Sequence, residues 1–179
     1  YGRIANIGNA RGLLSWDQQV MMPEGGTPAR SRQLSTLSAV SHELLVEDDT
    51  GELLDELEDT ELTERQAATV REIRREYERE SRVPTQLVER ISQTSSEALE
   101  AWEDARENDD FETFAPHLRE LVELKREYAE HIDPDRDPYA VLFEDYEPCL
   151  PLEHAERILE RVREPPEPLI TATHERLHQ

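Results

Sequence analysis

The segment His174-Glu175-Arg176-Leu177-His178 sets two histidines four residues apart, with a glutamate beside the first. On a helix the two imidazoles fall on one face and can share a Zn²⁺, the glutamate acting as base toward a metal-bound water. Three features weigh against such a centre. Arg176 puts a guanidinium inside the motif, where the chain should pack. Pro165, Pro166 and Pro168 come just before it. Gln179 closes the chain before a third ligand can follow.

The other reactive residue types are weaker candidates. Glu144, Asp145 and Glu147 could be a carboxylate pair for acid–base work, but acids are the background of this chain, 42 in all. His117, His131 and His154 lack ligand spacing and read as solvated or capping residues. Cys149 has no activating base beside it and reads as a small, half-buried turn residue. The stretch SWDQQVMMPEGG, residues 15–26, is more distinctive. Trp16 is expected to bury its ring where a first helix meets its neighbours. Asp17, toward the helix C-terminus, opposes the helix dipole unless a cation compensates it, and Arg30 or Arg32 is placed to do so. That role is structural; the alternative is one wall of a cleft whose chemistry lies elsewhere.

These residues have to be positioned by helices. Ile4, Ile7, Leu13, Leu14 and Val20 give a first, glycine-weakened helical pattern that ends at Pro23 and Gly25-Gly26. Leu34, Leu37, Val40, Ser41, Leu44 and Leu45 give a second from Pro28. A polar gap at Asp48–Gly51 precedes a short segment with Leu53, Leu54 and Leu57. Thr63-Glu64-Arg65-Gln66 matches a capping box, with Val70, Ile73 and Tyr77 behind it. Leu87, Ile91, Ala98, Trp102 and Ala105 predict a long helix to about Glu107. After an Asn108-Asp109-Asp110 turn, Thr113 is the expected cap of a helix running to His131, with Pro116 in its first turn. The two long helices should fold as a hairpin, a helical hairpin over about 63–131 within one helical region spanning 1–179 and with no separate second domain. Tyr77, Trp102 and Tyr128 read as inter-helix packing. Tyr139–Tyr146, a helix from Pro151 faced by Ala155, Ile158, Leu159 and Val162, and a last helix over Leu169–Leu177 complete the pattern. No strand-like alternation or internal repeat appears, so the fold class is all-α.

Charge narrows the function classes. The formal net charge is -22, and Lys125 is the only lysine among 20 bases. Such a surface repels phosphate backbones and anionic membranes, which argues against nucleic-acid and membrane partners. Self-repulsion on this scale is largely removed where the Debye length is about 3 Å, near 1 M salt, so a saline cytoplasm is expected. One cysteine excludes an internal disulfide. No apolar run nears the ~20 residues of a membrane span, and no basic-then-apolar leader opens the chain. A start at Tyr1 and an end inside a helical pattern suggest part of a longer protein.

Four blocks, in order, carry a resemblance: LLSWDQQVMMPEGGTPARSRQLSTLSAVSHELL, VREIRREYERESRVPTQLVERIS, AWEDARENDDFETFAPHLRELVELKREYAEHI and DPYAVLFEDYEPCL. Over about residues 10–163 the chain resembles the N-terminal helical region of the M32 family of metallocarboxypeptidases, the carboxypeptidase Taq type. The resemblance implies a mainly helical, cytoplasmic homodimer that removes C-terminal amino acids other than proline from peptides. It also implies zinc or cobalt held by the two histidines of an HExxH and a later glutamate. In that family the motif lies many tens of residues beyond the Asp-Tyr-Glu-Pro block. His174 and His178 follow Tyr146 too soon to be it, so no metal ligand, cofactor contact or catalytic base is assigned here. The family usually has glycine at the place of Cys149 and threonine or serine at that of Leu150, and Pro165-Pro166 interrupts a helix expected to be continuous.

The first expectation is therefore the N-terminal part of a metallocarboxypeptidase, inactive alone, walling a groove and contributing dimer contacts. The alternatives are a non-enzymatic helical scaffold or oligomerisation module, and a small zincin using His174, Glu175 and His178.

Overall fold

The computed structural model describes residues 1–23 and 25–163, and every regular element among them is helical. Six helices lie in a first unit, residues 1–132: α1 (Gly2–Val20), α2 (Thr27–Val46), α3 (Asp48–Glu58), α4 (Glu64–Glu80), α5 (Thr85–Glu107) and α6 (Phe111–Ile132). The described part of a second unit, from Asp133 onward, holds α7 (Pro138–Phe143) and α8 (Leu152–Arg163). The expected helix over Leu169–Leu177, with the proline run before it, lies outside the described residues.

Helix α2 is the hub of the first unit, packed on α5 most extensively and also on α1, α3 and α4. Its buried stripe is Thr27, Ser31, Leu34, Ser35, Ser38, Ala39, His42 and Leu45, at helical spacing. The apolar periodicity put Leu37 and Val40 on that face, but Leu37 is half-buried and Val40 exposed. Small side chains win the inward positions because they let α5 approach closely. Ser38 Oγ donates across the contact to Ser92 Oγ at 2.9 Å.

The segment read as a polar gap is the first turn of α3, where Asp48 and Asp49 face the positive end of the helix dipole. Gly51 lies there because Tyr77 of α4 occupies the space beside it. A Cβ at this position would stand 2.5 Å from the Tyr77 hydroxyl. Arg74 of α4 ties the pair together, reaching Asp55 at 3.1 Å and Glu58 at 3.0 Å. The Thr63 capping box is present as expected, with Thr63 N–H donating to Gln66 Oε1 at 2.9 Å.

Helices α5 and α6 fold back on one another through the Asn108–Asp110 turn, whereas α4 packs on α3 and α2. Asp109 takes φ +53°, a left-handed conformation that aspartate tolerates. The cap of α6 is Asp110 and not Thr113: Asp110 Oδ1 accepts from Glu112 N–H at 3.2 Å, and Oδ2 from the Thr113 hydroxyl at 2.7 Å. The helix thus starts earlier than expected, at Phe111. Pro116 is past its first turn and cannot donate to the Glu112 carbonyl. Leu124, Tyr128, Ala129 and Ile132 form the buried face of α6.

In the second unit Asp137 caps α7, accepting from Tyr139 N–H at 2.9 Å and Ala140 N–H at 3.3 Å. α7 stops at Phe143, three residues short of the expected Tyr146. Along α8 only Ala155 is buried; Ile158, Leu159 and Val162 form an exposed apolar stripe.

Candidate functional site

The residues singled out for chemistry are not brought together. His174, Glu175 and His178 lie outside the described residues. His117 is half-buried on α6, while His131 and His154 are exposed in different helices. Glu144 is engaged by Arg136, whose Nη2 lies 2.7 Å from its Oε1, and this hydrogen bond raises the guanidinium pKa. Asp145 and Glu147 are exposed. Cys149 is exposed rather than half-buried and sits at φ +66°. That left-handed backbone suits glycine, which explains the glycine expected at this place. Among the described residues no group of three or more histidine, cysteine, aspartate or glutamate side chains could hold a metal ion. A divalent metal therefore does not fit the described residues.

The SWDQQVMMPEGG stretch is the end of α1 and the turn after it, clamped from α2. Arg30 Nη2 contacts Asp17 Oδ2 at 2.5 Å, and Nη1 donates to the Leu14 carbonyl. Of the two expected partners of Asp17, Arg30 takes the role. Gly25 has φ +81°, and a Cβ on Gly26 would meet Met22 Cγ at 2.7 Å, so both glycines are required by the turn. Trp16 is not buried: it is 55% exposed, and Leu13 and Val20 share its outward face of α1. Trp102 is also exposed, with the Arg106 guanidinium 5.2 Å from its ring centroid. Tyr77 is half-buried and Tyr128 buried, as inter-helix packing requires.

Sequence reasoning missed a polar assembly at the centre of the first unit. His42, buried on α2, has Nε2 3.0 Å from the Glu80 carbonyl and Nδ1 3.1 Å from Thr85 Oγ1. A carbonyl only accepts, so Nε2 carries a proton and donates to it, while Nδ1 shares a hydrogen bond with the threonine hydroxyl. The Tyr128 hydroxyl donates to Glu80 Oε1 at 2.8 Å. Next to this assembly a cavity of about 380 Å³ opens between α1, α2, α5 and α6, with Arg11, Gln18, Ser95, Glu80 and Lys125 in its lining. Gln18 fastens α1 to α5, its Nε2 donating to the Ser96 carbonyl and its Oε1 accepting from the Ser96 hydroxyl, both at 3.1 Å. The only signal in the sequence for His42 is its register with Leu34, Ser38 and Leu45 on one face of α2.

This helical arrangement is that of known carboxypeptidases. The solved structure of BsuCP superposes with a TM-score of 0.85 at 26% identity, over 90% of this chain and 33% of its own. Metallocarboxypeptidase 1 of Trypanosoma cruzi gives a TM-score of 0.76 at 30% identity, over 97% of this chain and 36% of its own. Thermostable carboxypeptidase 1 of Pyrococcus furiosus is 33% identical over 171 residues, covering 95% of this chain and 34% of its own length. The fold is thus one shared with mainly helical peptidases that act as carboxypeptidases. The family model described as Carboxypeptidase Taq (M32) metallopeptidase matches residues 1–179, and the chain belongs to that family. It spans about a third of the length of the curated relatives it matches.

Proposed function

We propose that this chain is the N-terminal helical part of a metal-dependent carboxypeptidase that releases C-terminal amino acids from peptides, and that alone it has no peptidase activity. The match of the family model to the whole chain carries the reading. Membership of a metallopeptidase family implies a metal in the complete enzyme, for which zinc or cobalt is the proposal. Its ligands are assigned to polypeptide other than the described residues, which offer no ligand set.

Exposed apolar surface supports a larger assembly. Leu13, Trp16 and Val20 on α1, and Ile158, Leu159 and Val162 on α8, stand in solvent at helical spacing. Each such side chain gains about 1.5–3 kcal/mol when fully buried, so both stripes favour covering by further polypeptide. In the complete enzyme the first unit walls a groove, and a homodimer in a saline cytoplasm is part of the same reading. No described helix is long and apolar enough to cross a membrane. The test is release of free C-terminal amino acids from peptides by the full-length protein, abolished by a chelator and restored by zinc or cobalt. A full-length protein that leaves peptides intact with either metal would overturn the reading.

A further inference from the structure

The cavity beside His42 contains an arginine with an unmet buried donor. Arg11 lines it from α1, and its Nε is buried with no hydrogen-bond partner. Leaving that buried N–H unmet is costly. Lys125, the only lysine, lines the same cavity from α6, with Nζ 4.9 Å from the Tyr128 ring centroid. Glu80 is the one aspartate or glutamate in this lining, and it is already engaged by the Tyr128 hydroxyl at 2.8 Å and lies 3.8 Å from His42 Nε2. Two cations against one carboxylate leave a single positive charge.

We infer that this cavity binds a small aliphatic monocarboxylate, its carboxylate on Arg11 and Lys125. The planar guanidinium fork matches a carboxylate better than a spherical anion, and the Ser15 and Ser95 hydroxyls in the lining add donors. Val88, Ile91 and Leu99 supply apolar wall for a short hydrocarbon tail. A volume of about 380 Å³ admits such a molecule. Its test needs no peptidase activity.

The experiment follows the Ser95 backbone amide resonance of the ¹⁵N-labelled 179-residue chain, in the cavity lining, while sodium butyrate replaces sodium chloride at constant ionic strength. A saturable shift is expected, absent in Arg11→Gln, with a dissociation constant about tenfold weaker in Lys125→Gln. Lys125 is exposed, so its variant reports even if Arg11→Gln fails to fold. A flat titration of the native chain, which means that chloride serves as well as the carboxylate, would overturn the assignment. So would an unchanged dissociation constant in Lys125→Gln.

Discussion

Arg30 of α2 grips the end of α1 at two points, the Asp17 carboxylate and the Leu14 carbonyl. One guanidinium thereby compensates an acid placed against the helix dipole and fixes the angle at which the chain turns into α2. Arg30→Ala is expected to lower stability by about 1–2 kcal/mol, discounted for the partial exposure of Asp17. Arg30→Lys should recover less than half of that, because an ammonium cannot reproduce the fork. Denaturant unfolding of the two variants decides it; equal stability of Arg30→Lys and the parent would remove the clamp from the account.

His42 joins the end of α4 to the start of α5 through the Glu80 carbonyl and Thr85 hydroxyl. Its removal leaves buried polar groups unmet and opens a void. His42→Ala should cost about 2–4 kcal/mol, measured by chemical denaturation. A loss within the roughly 0.5 kcal/mol typical of surface changes would show that the assembly is not structural.

At φ +66°, Cys149 holds a backbone conformation that an L-residue adopts at a cost of about 1–2 kcal/mol. Cys149→Gly relieves it and, after the entropy that glycine adds to the unfolded chain, should stabilise by up to about 1 kcal/mol. Thermal unfolding under reducing conditions reads the change. A lower melting temperature for the glycine variant would contradict it.

The net charge of -22 makes compactness depend on screening. Helicity by circular dichroism should fall as salt is lowered from about 2 M to about 0.05 M, because the Debye length then grows several-fold. An unchanged spectrum across that range would show that packing alone holds the helices.

Local chemistry was legible in the sequence where cause and effect are close together. The Thr63–Gln66 box acts over three residues, and the need of Asp17 for a cation follows from helix polarity alone. Where two oxygen-bearing side chains compete over three residues, the choice was not legible, and Asp110 rather than Thr113 became the cap. The inward face of α2 was also misread, because serine and alanine are selected there for size and an apolar pattern does not register size. His42 was invisible for another reason: its partners, Glu80 and Thr85, come from helices brought next to it only by the fold. Trp16 looked like core because a large ring is costly in water, yet it stands outward with Leu13 and Val20.

Metal analysis of the 179-residue chain, purified and dialysed against zinc and then assayed on peptides, decides whether the ion-binding machinery lies in this chain. Less than stoichiometric zinc, the same content in His174→Ala and no released amino acid are expected. One tightly held zinc per chain, lost in His174→Ala and accompanied by peptide hydrolysis, would contradict that expectation.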